Sequence, residues 1–137
     1  MANIYQTIYK RLVRLGIDPE KGIPEYAKSE SGAYMDLHLN LLFDPDGVLR
    51  VSLAHYYEQN GDQVPDPDME IRIYPDSKMA EAMTFQDSMG FQDVYPAPGT
   101  YYPKAKKDLN AFLATWLKNC LDQGHSFKTK EAQNAVR

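Results

Sequence analysis

The stretch AYMDLHLNLLFDPDGVLRVSL, residues 33–53, decides the fold. Apolar and polar residues alternate from Ala33 up to the sequence Asp-Pro-Asp-Gly, and they alternate again after it. Such alternation is typical of strands with one buried face. Proline at the second position and glycine at the fourth suit a tight turn, because proline fixes φ and glycine tolerates unusual φ values. The stretch therefore predicts a β-hairpin whose strands end at Phe43 and resume over 48–57.

More strands are predicted after this hairpin. Residues 69–74 alternate in the same way, and the shorter segments 79–86 and 91–95 predict a fourth and a fifth strand. The intervening residues 58–67, EQNGDQVPDP, are turn-forming and predict a loop. Before the hairpin, residues 17–32 hold two prolines and two glycines without a sustained period, so they also predict a loop.

Two amphipathic helices are predicted at the ends of the chain. The first covers residues 3–15, with one apolar face made of Ile4, Ile8, Leu12 and Leu15. The second carries a wider apolar stripe, made of Leu109, Phe112, Leu113, Trp116, Leu117, Cys120 and Leu121. Asp108 is expected to cap this second helix, because the three lysines before it would then lie outside the positive end of the helix dipole.

The order of these elements predicts an α+β fold. It is an antiparallel β-meander of four to five strands, with the N-terminal and C-terminal helices packed on one face. The 137 residues suit a single domain, which we expect over 1–125, followed by a polar, flexible tail over 126–137. The opposite sheet face is expected to display Tyr34, Asp36, His38, Asn40, Arg50, Ser52, Tyr56, Glu70, Arg72 and Tyr74.

Composition excludes several classes of protein. The chain is 43% hydrophobic and 25% charged, which is typical of a globular protein rather than a disordered or fibrous one. No stretch approaches the roughly 18 apolar residues of a membrane span, and the first residues lack the apolar core of a secretory signal. The single cysteine suits a reducing compartment, so we expect a cytoplasmic protein with no membrane contact.

Charge is distributed unevenly along the chain. Residues 1–16 hold three basic residues and no acidic one, residues 17–95 hold sixteen acidic and five basic, and residues 96–137 hold seven basic and three acidic. The acidic middle would repel phosphate, so nucleic-acid binding through it is not expected. The basic ends either contact an acidic partner or balance the acidic middle within the fold.

The segment from His55 to Glu70 is the richest in polar and aromatic side chains. It holds five carboxylates, and the whole chain has ten tyrosines, a residue type enriched where proteins bind proteins. We therefore predict a non-catalytic interaction module. It would bind a partner protein or a second copy through the open sheet face and the acidic loop 58–70, using Tyr56, Tyr57, Glu58, Asn60, Asp62, Asp66 and Asp68.

An enzymatic alternative stays open. His55 with Glu58 and Asp62 would provide a general base for a hydrolase-like reaction. No cofactor is predicted other than a divalent cation, which clustered carboxylate oxygens would suit, with Asp62, Asp66, Asp68 and Glu70 as its candidate ligands. The spacing lacks the glycine and the glutamate of an EF-hand loop.

Two further groups bear on the chemistry. The cluster Lys104–Lys107 lies beside Tyr101 and Tyr102, and basic and aromatic groups together bind single-stranded nucleic acid, which gives a weaker alternative function.

Cys120 lies within the apolar stripe of the second helix, and that helix offers no histidine. We expect it to be a small, unreactive hydrophobic residue.

Several segments resemble a known family. DMEIRIYPD at 68–76, MAEA at 79–82 and the pattern N-x-FLA-x-WL-x-x-CL-x-x-GH at 110–125 resemble the YqiB-like family of small bacterial cytosolic proteins. HYYEQNGD at 55–62 with DPDM at 66–69 is similar to a related domain found in proteobacterial genomes and mobile elements. The resemblance implies a bacterial cytosolic protein with one α+β domain, and it assigns no catalytic residue.

Overall fold

The structure is a computed structural model that describes residues 2–128. The elements follow the order α1 (Ile4–Leu15), β1 (Tyr26–Ser31), β2 (Tyr34–Phe43), β3 (Leu49–Gln59), β4 (Asp62–Tyr74), β5 (Met79–Asp87), β6 (Gly90–Asp93) and α2 (Pro103–Asp122). A block of strands lies between two helices, which confirms the α+β class.

The six strands form one antiparallel sheet in which each strand pairs with its neighbours in sequence. The predicted number of four to five strands was too low, because β1 lies in a segment that was predicted to be a loop. β1 has the sequence YAKSES and pairs with β2, where Ala27 lies opposite Leu39. An edge strand of this composition buries few apolar side chains, so hydrophobic periodicity does not reveal it.

One face of the sheet is apolar and carries both helices. Leu39 lies opposite Leu53, and Leu53 lies opposite Met69, so the apolar residues of the central strands share this face. The helices and this face contribute to a single core, which includes Ile8, Leu12 and Leu15 of α1, Leu113, Trp116 and Leu117 of α2, and Leu37, Val51, Ile71 and Ala82 of the sheet. The predicted packing of both helices on one sheet face is therefore confirmed.

Helix α1 begins and ends where its sequence predicts. The Asn3 side chain accepts a hydrogen bond from the Gln6 amide at 2.9 Å, and the Gln6 side chain accepts one from the Asn3 amide at 3.0 Å. This reciprocal pair satisfies two amides that have no partner within the helix. Gly16 follows with φ of 100°, a left-handed conformation that ends the helix.

Helix α2 begins at Pro103, so the prediction of Asp108 as its cap was wrong. The expected conflict between lysines and the helix dipole is relieved by ion pairs. Lys104 Nζ lies 2.6 Å from the Asp108 carboxylate, and Lys106 Nζ lies 4.0 Å from the Glu81 carboxylate of β5. Phe112 is less buried than its place in the apolar stripe predicts, since it is 41% exposed.

The C-terminal end of the described chain is attached to the fold. The Ser126 amide donates to Ser29 Oγ at 3.0 Å, and the Phe127 amide donates to the Leu15 carbonyl at 2.6 Å. Residues 126–128 therefore contact β1 and the end of α1. The remainder of the expected tail, residues 129–137, lies outside the described residues. In residues 2–128, no helix is both long enough and apolar enough to cross a membrane.

Candidate functional site

The β3–β4 hairpin extends beyond the rest of the sheet. β2 pairs with β3 only as far as Ala54, and β5 pairs with β4 only as far as Asp68. Residues 56–66, here called the arm, therefore continue as a two-stranded ribbon that pairs with neither β2 nor β5. The prediction of a loop over 58–67 was wrong, since these residues are paired strands around a two-residue turn at Asn60 and Gly61.

The arm is exposed and carries charge of one sign. The side chains of Glu58, Asn60, Asp62 and Asp66 are exposed, and the arm has three carboxylates and no basic residue. Tyr57 is half-buried. The structure thus places most of the predicted binding residues together on one projecting element.

A row of aromatic residues crosses the open sheet face at the base of the arm. The Tyr26 hydroxyl lies 2.9 Å from His38 Nδ1, and the rings of His38 and Tyr56 meet edge to face at 5.2 Å. Asp68 continues the row on β4, where Ser52 Oγ donates to its carboxylate at 2.9 Å and the Tyr56 hydroxyl lies 3.5 Å away. Burial raises the pKa of Asp68 and also raises the pKa of Tyr56.

The other half of the open face holds a network of ion pairs. The Asp44 carboxylate bridges two arginines, with Arg50 Nε at 2.8 Å and Arg72 Nε at 3.0 Å. Arg50 also pairs with Glu70 at 3.0 Å, and Arg72 with Asp46 at 2.8 Å. The network forms part of the lining of a groove of about 940 Å³, whose other side is the segment 93–101.

A buried carboxylate anchors that segment. Glu81 is 9% exposed and accepts hydrogen bonds from the Tyr74 hydroxyl at 2.7 Å and the Tyr95 hydroxyl at 2.8 Å. Burial and the neighbouring Glu81 raise the pKa of Tyr74 to about 12. The Lys106 ammonium lies over the Tyr95 and Tyr101 rings, at 5.6 and 5.3 Å from their centroids. These contacts hold Lys106 inside the fold.

The predicted lysine cluster is consequently divided. Lys106 is turned towards Glu81, Lys104 pairs with Asp108, and Lys107 is exposed. Among the described residues, these three lysines do not present one basic surface. The structure therefore adds no support to the prediction of nucleic-acid contact through Lys104–Lys107.

His55 lies on the helix-covered face and is buried, with 8% of its surface exposed. Its Nδ1 lies 2.8 Å from the Asp36 carbonyl oxygen, and its Nε2 lies 3.9 Å from Cys120 Sγ. The His125 ring is 5.8 Å away, and His125 Nδ1 lies 2.9 Å from Ser29 Oγ. Sequence reasoning placed no histidine beside Cys120, because tertiary contacts alone join positions 55, 120 and 125.

This buried cluster lacks the features of a nucleophilic site. Burial raises the pKa of the Cys120 thiol to about 12, so the thiol stays protonated at neutral pH. Glu58 is three positions along the strand from His55, which places it on the opposite sheet face, and Asp62 lies beyond the turn of the arm. The structure does not bring the three predicted catalytic residues together.

The predicted metal ligands are also spread out. Asp68 and Glu70 lie on the open face, where each contacts side chains of β3, whereas Asp62 and Asp66 belong to the arm. In residues 2–128, no three histidine, cysteine or acidic side chains are grouped so that they could hold a metal ion.

Comparison with known proteins identifies the family. The family model described as "Domain of unknown function (DUF6908)" matches residues 5–126, so the chain belongs to that family. It is also similar to "Uncharacterized protein YqiB" of Escherichia coli, in strains K12 and CFT073 and in O157:H7, with 35% identity over 60 residues. That alignment covers 42% of this chain and 43% of the relative. The resemblance to YqiB-like proteins is confirmed, and no solved structure matches the chain.

Proposed function

We propose that the protein is a non-catalytic, cytoplasmic interaction module of bacteria, which binds a basic surface of a partner protein through the arm and the base of the open face. The observation that carries this proposal is that residues 56–66 continue, beyond the last pairs with β2 and β5, as a two-stranded ribbon. An isolated two-stranded ribbon is only marginally stable in water. Contact with a partner would therefore stabilise the arm.

Charged side chains, tyrosines and the turn of the arm contribute to binding in different ways. Glu58, Asp62 and Asp66 supply negative charge, which accelerates the encounter with a basic surface. Tyr56 and Tyr57 supply contact area at the base of the arm, because a tyrosine loses little conformational entropy when it is ordered. The turn at Asn60 and Gly61, with φ of 54° and 85°, fixes the register of the two strands.

A binding titration with a defined probe tests the proposal. The probe is a labelled synthetic peptide of alternating lysine and tyrosine, and a glutamate–tyrosine peptide of equal length serves as its control. We expect the basic peptide alone to bind, to shift the amide NMR signals of the arm, and to bind less tightly as salt screens the charges. The triple variant E58Q/D62N/D66N should lose at least about tenfold in affinity.

A charge-matched variant separates the arm from the net charge of the protein. E20Q/E25Q/D76N removes three exposed carboxylates outside the arm and should keep most of the affinity. Y56A/Y57A should also weaken binding, whereas Y102A, at an exposed tyrosine outside the arm, should not. Equal losses in the two triple variants, or NMR shifts that avoid the arm, would refute the proposal.

A further inference from the structure

A positively charged surface, opposite in sign to the arm, lies on the outer side of α1. A groove of about 760 Å³ runs between this helix and the turn that joins β4 to β5. Tyr9 and Val13 give the groove an apolar part, and Lys10, Arg14 and Lys78 line it with positive charge. Lys10 and Arg14 are one helical turn apart, so the Lys10 ammonium and the Arg14 guanidinium project from the same side of α1.

The three cations of this groove form no ion pair with a carboxylate in the part of the chain that the structure describes. Lys10, Arg14 and Lys78 are exposed and form no ion pair within residues 2–128. Most lysines and arginines of the sheet and of α2 behave differently, since they pair with acidic side chains. The α1 groove therefore presents three cations that belong to no ion pair of the described residues, with the carboxylates of Asp18 and Glu20 acting on Tyr9 from nearby.

The arm has the complementary composition, but it cannot reach the groove of its own chain. The turn of the arm lies at the start of β4, and Lys78 follows the end of the same strand. Thirteen residues of extended strand span roughly 40 Å, so the arm and the groove lie at opposite ends of the sheet. Two copies arranged side by side in opposite directions would place each arm beside the groove of the other.

We propose that the arm of one copy docks into the α1 groove of a second copy, giving a closed dimer with two-fold symmetry. This inference rests on the proposed function of the arm and names its partner. The arm would insert between the two walls of the groove, because Asp62 and Tyr57 share one face of the ribbon and Glu58 lies on the other. Asp62 would meet Lys10 and Arg14 beside the apolar part on which the half-buried Tyr57 packs, and Glu58 would meet Lys78 on the opposite wall. The contact occurs twice, so the two-fold arrangement closes without forming filaments.

Sedimentation equilibrium of the full chain over a range of concentrations tests the dimer. Wild type should dimerise in low salt and dissociate in high salt. K10E/K78E reverses the charge of the groove, and E58K/D62K reverses the charge of the arm. Either variant should weaken dimerisation at least about tenfold. The K10E substitution introduces a carboxylate four residues before Arg14, which is a favourable helical pair, so the groove variant is expected to fold. K21E/K107E makes the same charge change on exposed lysines elsewhere and should dimerise like wild type.

Mixing the two reversed variants gives the decisive result. Each basic arm would then face an acidic groove and each acidic arm a basic groove, so a heterodimer should form although neither variant associates alone. A monomeric wild type, or a mixture that stays monomeric, overturns the inference. The proposed function is tested separately, because K10E/K78E keeps an intact arm and should still bind the lysine–tyrosine peptide. Loss of that peptide binding in E58Q/D62N/D66N alongside a monomeric wild type would refute only the two-copy contact.

Discussion

The Asn110 side-chain carbonyl accepts a hydrogen bond from the Ala82 backbone amide at 2.8 Å, joining α2 to the sheet. Ala82 lies where the register between β4 and β5 shifts by one residue. The Asn110 amide group also donates to the Lys106 carbonyl at 2.7 Å, and Asn110 is 1% exposed. A helix side chain thus supplies a buried strand amide with its partner at an irregular point of the sheet.

Replacing Asn110 with alanine should leave the Ala82 amide buried without a partner. We expect the free energy of unfolding to fall by about 2 kcal/mol in urea denaturation, since an orphaned buried amide costs ~1–3 kcal/mol. Asn119 lies on the same helix but is exposed, so N119A should change stability by less than about 0.5 kcal/mol. Equal effects in both variants would show that the Ala82 contact does not stabilise the fold.

A second prediction concerns the space beside Gly16. A Cβ atom there would lie 2.6 Å from the Lys128 amide nitrogen and 2.8 Å from the Phe127 carbonyl carbon, which is too close for an unshifted backbone. Gly22 has a similar φ, 88° against 100°, but open space around it. We expect G22A to cost about 1 kcal/mol, from the left-handed conformation alone.

G16A should cost more than G22A, because it must also displace residues 127–128. Urea denaturation gives the two free energies, and the NMR signals of Phe127 report whether its contact with α1 is lost. An equal cost for the two substitutions would mean that the C-terminal residues do not stay against Gly16 in solution.

His125 makes the stability of the fold dependent on pH. Burial, together with the nearby His55, lowers the pKa of His125 below 6.5. A lowered folded-state pKa means that the native state favours the neutral ring. The resulting stability is present above the unfolded pKa of about 6.5 and is lost as the pH falls through the lower folded value. We therefore expect the free energy of unfolding to decrease from neutral to mildly acidic pH.

H125N should flatten this pH dependence, measured as urea denaturation at several pH values. The pKa of His38 is also lowered, mainly by burial, so H38N should remove a separate part of the same slope. An unchanged slope in H125N would show that His125 titrates in the folded state as it does in the unfolded chain.

Cys120 should be almost inert in the native protein. Its pKa of about 12 leaves a very small thiolate fraction at mildly alkaline pH, and its side chain is 1% exposed. We expect a disulfide reagent such as DTNB to react with it at least about a hundredfold more slowly than with the same protein unfolded in urea. Comparable rates in the two states would place an accessible thiolate at this position.

Sequence patterns predicted the core better than the polar elements. Alternation in β2, β3 and β4 and the stripe of α2 identified the buried faces, because burial imposes its own period on apolar residues. The arm was missed for a physical reason: Pro65 and Pro67 argue against a strand, since proline cannot donate to a neighbour. Both prolines lie in or at the base of a ribbon whose outer edge is unpaired, where no donor is needed. The Asn60–Gly61 dipeptide was the available signal for the hairpin.

The candidate site depended on information that local patterns do not contain. Tyr56 and Asp68 lie together on the open face, but their contact requires the strand register. The bridge from Asp44 to Arg50 and Arg72 joins a turn to two strands. Ion pairs between distant positions leave no periodic trace in a sequence, so such networks become visible only in three dimensions.

The strictly sequential sheet has a consequence for synthesis on the ribosome. Each hairpin can form as soon as its two strands have emerged, because strand partners are adjacent in the chain. Helix α2, however, leaves the ribosome after all six strands, and until then much of the apolar sheet surface faces solvent. Nascent chains that stall before residue 103 should therefore be the ones that chaperones retain.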